Sequence, residues 1–216
     1  MLKLLINAPK GGVGKTTIAT NTALLLAEEG KSVLVLKMSG TSRIKYHIES
    51  AKENSPDVYS KIEVKEHTDE TLPDNFKGMG KHDIVVVDTD DNWNILDALV
   101  EKKRKGWRVI VPIVPNDSEG MQSIPDELQP IVNYSTMAGI DLDMKIIPNK
   151  CGESDDNSSD ISLVKQRLKD SGLLGYMSRY YLPFAQRVLY PSSPIFLDNL
   201  IFRDQLKSLL SELGIL

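Results

Sequence analysis

The sequence predicts a doubly wound α/β fold, with a mostly parallel central sheet flanked by helices. Two observations carry this reading. Apolar runs of strand length alternate with helical patterns along the chain, and those runs are continuous rather than alternating. Continuous hydrophobicity marks strands covered on both faces, as in a parallel sheet between two helical layers. Ligands of such folds sit at the carboxyl ends of the strands.

Strands are predicted at 2–7, 32–36, 83–87, 108–114 and 144–147, with a weaker one at 62–65. Helices are predicted at 16–29, 92–105, 119–137, 160–171 and 199–213. Gly30 stands where the first helix wants a left-handed C-cap. The polar stretch 151–160 reads as a surface loop, with Ser159 or Asp160 ready to cap the next helix. No linker or repeat divides the chain, so its 216 residues are expected to form one domain over 1–216.

Composition narrows the function classes. Hydrophobic residues make up 41% and charged residues 26%, the balance of a soluble globular protein. A net charge of -4 means that any DNA contact must come from a local patch. Cys151 is the single cysteine, which forbids an internal disulfide and a cysteine-built metal cluster within one chain. A reducing cytoplasm is the expected compartment, with nucleoid association if DNA is bound. The apolar run at 2–6 is too short for a signal peptide, and no stretch approaches the ~18 apolar residues of a spanning helix.

The chemistry begins at Lys10-Gly11-Gly12-Val13-Gly14-Lys15-Thr16-Thr17. Gly14-Lys15-Thr16 fits the end of a P-loop, between a predicted strand and a predicted helix, with Pro9 where the first glycine usually stands. Gly11, Gly12 and Gly14 let the backbone turn several N–H groups inward as an anion nest. The helix that follows adds its positive end. Lys15 is then expected to reach the β- and γ-phosphates of ATP, and the Thr16 hydroxyl to ligate Mg2+.

Asn7-Ala8-Pro9-Lys10-Gly11-Gly12-Val13-Gly14-Lys15-Thr16-Thr17 resembles the loop of the ParA/MinD family of deviant Walker A ATPases, most closely its small plasmid-partition (ParF-like) members. The resemblance implies a P-loop NTPase fold and an ATP-dependent homodimer. The early lysine, Lys10, would cross to the phosphates of the other subunit. It also implies that 82–89 is the Walker B strand, with Asp88 holding a magnesium-bound water. Strand end 146–150 resembles the adenine-reading segment, so Asn149 would pair with the base. Tyr181-Leu182-Pro183-Phe184-Ala185-Gln186 and Ser192-Ser193-Pro194-Ile195 resemble the segment that flanks the adenine, with Pro183 among its contacts.

The chain departs from this family at its second strand, which usually ends in Asp-x-Asp-Pro-Gln. Here Lys37 and Ser39 occupy the two aspartate positions. Phosphoryl transfer relies on positioning and electrostatics, so this change should leave binding intact and slow hydrolysis. Lys37 could instead add positive charge near the phosphates. After Asp88-Thr89 the family commonly has two prolines, whereas this chain has Asp90-Asp91. Two readings of that pair stay open: they begin the helix at Asn92, or one replaces the missing carboxylate.

Lys102-Lys103-Arg104-Lys105, followed by Trp107-Arg108, reads as a solvated helix end or as a contact to DNA phosphates. Arg179, Arg187, Arg203 and Lys207 lie where partition ATPases commonly place a DNA surface. The last helix mixes Arg203, Asp204, Lys207 and Glu212 on its polar side, which favours core packing over a membrane anchor. The resemblance therefore implies a partition-type ATPase: it binds nonspecific DNA and answers to a centromere-binding ParB-like partner, with no stable membrane association. The alternative is an ATP-gated scaffold that does not hydrolyse. Iron–sulfur electron transfer is excluded by the single cysteine.

Overall fold

The computed structural model describes the chain outside residues 69–70, 74–75, 77–80, 153–156 and 185–198. Its elements run β1 (Leu2–Ile6), α1 (Lys15–Glu28), β2 (Val33–Lys37), α2 (Ile44–Asn54), α3 (Pro56–Tyr59), β3 (Ile62–Glu66), β4 (Ile84–Asp88) and α4 (Asn94–Glu101). They continue as β5 (Trp107–Ile113), α5 (Ser118–Met137), β6 (Asp143–Cys151), α6 (Asn157–Asp170), a 3-10 turn (Leu174–Tyr176), β7 (Leu182–Pro183) and α7 (Leu200–Glu212).

The seven strands form one sheet in the order β3-β2-β4-β1-β5-β6-β7, and every pair is parallel. Alternate residues of each strand feed opposite layers, as the period of two requires. Leu4, Ile6, Val33, Val35, Ile84, Val86 and Ile110 face a core closed by α1, α2, α3 and α7. Leu5, Leu34, Leu36, Val85, Val87, Val109 and Val111 face a second core closed by α4, α5 and α6. Each such side chain taken out of water contributes about 1.5–3 kcal/mol, which is why the runs are continuous. Phe202, Leu206, Leu209 and Leu210 of α7 are buried, so this helix packs on the sheet as its mixed polar side suggested.

The structure corrects several boundaries. The second helix, α2, lies in a stretch where none was predicted. It buries only Ile44, Ile48 and Ala51, against α1. The helix expected to reach Lys105 stops at Glu101, because Lys103 turns left-handed at φ 50° and Gly106 at φ 77°. Ser159 and Asp160 lie inside α6 rather than capping it, and the Asp160 carboxylate accepts the N–H of Gly152 at 3.2 Å.

Helix α5 carries two internal prolines, Pro125 and Pro130, and a neighbouring helix makes good the loss at the first. Pro125 has no N–H for the carbonyl of Met121. Arg167 of α6 supplies the missing donor: its Nε reaches Met121 O at 2.9 Å and a terminal nitrogen reaches Gln122 O at 3.1 Å. The same guanidinium pairs with Asp126 at 2.5 Å. The long helix starts with Asp117 as its N-cap and Glu119 in its first turn.

Candidate phosphate-binding site

Three segments meet at the carboxyl edge of the sheet: the β1–α1 loop, the end of β4, and the residues after β2. The β1–α1 loop ends at Gly14, whose φ of 99° places it in the left-handed region. Its carbonyl accepts the first helical bond of α1, from Ile18 N at 2.9 Å. Glycine is required here twice over, because a Cβ would also stand 2.4 Å from Asn149 Nδ2. Gly12, at φ 77°, repeats the left-handed turn. Val13 between them is buried and anchors the loop in the second core.

The loop is buttressed from β6. Asn149, 4% exposed, donates from Nδ2 to Val13 O at 2.6 Å, and Lys150 Nζ donates to Gly12 O at 2.6 Å. Asn149 thus supports the loop with its donor group. Its β6 register places it beside Leu182 of β7, and Cys151 beside Pro183. Asn149 and Pro183 therefore lie on neighbouring strands. Ala185, Gln186, Arg187 and Ser192 to Ile195 lie outside the described residues.

Lys15 begins α1 and its side chain is 6% exposed. Its ammonium donates to Lys10 O at 2.8 Å and pairs with Asp91 at 2.5 Å. The helix end it occupies opens at a glycine, so no side chain caps the first N–H groups of α1. Lys10 points elsewhere: its ammonium lies 2.6 Å from Glu119 and 2.9 Å from Asp117, at the start of α5. Hydrogen bonds to Glu119 and Asp117 hold its pKa above the ordinary lysine value, so it is charged.

Asp88 ends β4 and is completely buried. Thr16 Oγ1 donates to it at 3.0 Å and Ser42 Oγ at 2.5 Å. Burial raises its pKa to about 6, against the lowering effect of those two hydroxyls. This set of oxygens, one carboxylate and two hydroxyls, fits Mg2+. Among the described residues no group of three His, Cys, Asp or Glu forms a closed metal cage. Magnesium shared with a phosphate needs only one or two carboxylates. Thr16 and Asp88 are the residues that would hold it, and Ser42 stands beside them.

The changed positions after β2 are now placed. Lys37 lies in register between Asp88 and Glu66, and its ammonium sits 3.8 Å from Glu66. Its charge is therefore engaged by β3 rather than offered to phosphates. Ser39 is buried, with Thr41 Oγ1 3.3 Å from its hydroxyl. Sequence reading missed Ser42 and Lys150 as site residues. Ser42 belongs to a segment with no recognised pattern, and Lys150 sits at φ 58°, which no local signal announces.

An all-parallel α/β sheet, a left-handed glycine loop opening a helix, and a Thr–Asp pair at the adjacent strand end define a P-loop nucleotide-binding domain. The family profile described as CobQ/CobB/MinD/ParA nucleotide binding domain matches residues 4–181. The chain belongs to that family. Solved structures share the fold. McdA from Cyanothece in complex with ATP, a mutant form, superposes with TM-score 0.65 at 16% identity, covering 100% of this chain and 97% of that one. A plasmid partition protein from Borrelia burgdorferi gives TM-score 0.61 at 15% identity, with 98% of both chains covered. The MinD cell division protein of Aquifex aeolicus gives TM-score 0.61 at 16% identity, again over 98% of both. No curated protein matches the sequence.

Proposed function

We propose that the chain is an ATP-dependent, dimerising ATPase of the partition type. It would bind nonspecific DNA and be stimulated by a centromere-binding partner. The observation that carries this reading is the pair of lysines in one loop, with Lys15 buried at the phosphate position and Lys10 beside it but directed away. In this reading Gly11, Gly12, Val13, Gly14, Lys15, Thr16 and Thr17 hold the phosphates. Asn149 and Pro183 lie toward the base. Lys15 balances the charge of the β- and γ-phosphates, and Asp88 with Thr16 fixes Mg2+, which polarises the phosphoryl oxygens when bound. Lys10 leaves Asp117 and Glu119 to meet the phosphates of a second copy, joining ATP to dimerisation.

The positions of Lys37 and Ser39 favour a second reading, an ATP-gated scaffold with negligible turnover. Neither residue supplies a carboxylate to orient water. Several cations of the proposed DNA surface are also engaged within the protomer. Arg203 pairs with Glu28 at 3.2 Å and Lys207 with Glu29 at 2.6 Å, while Arg104 donates to Pro73 O at 2.7 Å. Lys102, Lys103, Lys105 and Arg179 are exposed and remain the candidates for phosphate contacts. Among the described residues no helix is long and apolar enough to cross a membrane.

Phosphate release and DNA retention, measured together in the wild type and Lys15→Ala, separate the readings. Partition function predicts ATP-dependent, salt-sensitive DNA retention that Lys15→Ala abolishes. Tight nucleotide binding with neither turnover nor DNA retention would select the scaffold.

A further inference from the structure

The segment after β4 delivers an anion into the phosphate site. Asp91 Oδ1 lies 2.5 Å from Lys15 Nζ, and Asp91 Oδ2 lies 2.8 Å from where a Cβ on Gly11 would stand. The carboxylate therefore hangs over the glycine loop while holding Lys15. Asn7 ties down both sides of this segment: its Nδ2 donates to Thr89 Oγ1 at 2.9 Å and to Asn92 O at 2.7 Å. Thr89 Oγ1 in turn donates to Ile6 O at 2.9 Å. With its neighbours fixed to β1, Asp91 can leave Lys15 by turning its own side chain, which is 57% exposed.

We propose that Asp91 sets the affinity of the phosphate site by acting as an internal anion that nucleotide phosphates must displace. This rests on the reading of Lys15 as the phosphate lysine. Two effects act in the same direction. The nucleotide-competent form, with Lys15 released, is only a fraction of the free protein, which weakens apparent affinity by that fraction. A displaced carboxylate also remains close to the incoming negative charge. Exposure of Asp91 to water screens both effects, so the expected change is modest.

The test is competition of ATP and AMP against a fluorescent ATP analogue, with Mg2+, in wild type, Asp91→Asn, Asp91→Ala and Asp90→Asn. Asp90→Asn makes the same charge change on the neighbouring residue. The expected result is ATP binding about three- to tenfold tighter in both Asp91 variants. AMP, which lacks the β- and γ-phosphates, should change less than about twofold, as should ATP with Asp90→Asn. Unchanged or weaker ATP binding in the Asp91 variants would overturn the proposal, whether or not turnover falls. An equal gain from Asp90→Asn would overturn it too, by assigning the effect to net charge. Wild type that binds no ATP would instead defeat the underlying reading of the site, and does so without reference to any Asp91 variant.

Discussion

Lys10 Nζ and Asp117 Oδ1 lie 2.9 Å apart, so the early lysine of the glycine loop is held by its own protomer. Asp117 is also the N-cap of α5, accepting from Gly120 N at 3.2 Å. One carboxylate thus serves the helix and the lysine together. If Lys10 acts across a dimer, Lys10→Ala should bind ATP within about twofold of wild type yet stay monomeric when ATP is added, since a partly exposed pair at the surface contributes little to the protomer itself. Sedimentation velocity with and without ATP checks this, alongside a nucleotide titration. ATP-driven dimerisation of Lys10→Ala would remove Lys10 from the coupling.

Gly14→Ala should be the most damaging single-methyl change in the loop. It asks alanine to hold φ 99° and to place Cβ against the Asn149 amide. Strain of this kind costs roughly 1–3 kcal/mol, and the loop can relieve it only by leaving its position. ATP affinity is expected to fall about tenfold or more, since 1.4 kcal/mol is a factor of ten. Isothermal titration of MgATP into Gly14→Ala reads the change directly.

Asp88 gives the metal-free protein a pH dependence. Its folded pKa of about 6 stands above the ordinary 3.8, so the folded state holds the proton more tightly than the unfolded chain. The contribution to stability is therefore fully present below the unfolded value and is lost as pH rises through the folded one. Between pH 4 and pH 7 the wild type should lose about 2 kcal/mol relative to Asp88→Asn, the part of the shift that falls inside that window at 1.36 kcal/mol per pKa unit. Urea unfolding of both proteins in EDTA across that range measures the difference. The same substitution is expected to weaken binding of MgATP, so added stability and lost ligand binding should appear together.

Arg167→Ala should destabilise the fold without touching the loop. It strips the donor from the Met121 carbonyl that Pro125 already deprives of a partner. A buried carbonyl left unsatisfied costs about 1–3 kcal/mol. Thermal melts should show the loss, and ATP affinity should be unchanged under conditions where the variant is folded.

The alternation of buried strands and helices was legible because parallel strands need apolar residues on both faces. Leu4 and Leu5 serve opposite cores, and so do Val85 and Val86. The loop was legible for a related reason: glycines, a lysine and a threonine are forced by phosphate chemistry over a short stretch. Helix α2 was not legible. Ile44, Tyr46, His47 and Ile48 have modest helix propensity, and the helix forms by burying one narrow face on α1. The ion pairs of the site were equally hidden. Lys10 finds Asp117 across 107 positions and Lys15 finds Asp91 across 76, distances that no local pattern spans. Sequence left Asp90 and Asp91 open between beginning the next helix and replacing the missing carboxylate; in the structure Asp91 is the one that pairs with Lys15.

Calorimetric titration of MgATP into wild type and Lys15→Ala tests the central claim most directly. Saturable binding to the wild type, with loss of at least about tenfold in affinity when the buried lysine is removed, is the predicted result. Equal binding by the two proteins, or none by a folded wild type, would contradict the assignment of Lys15 and its loop to the phosphates.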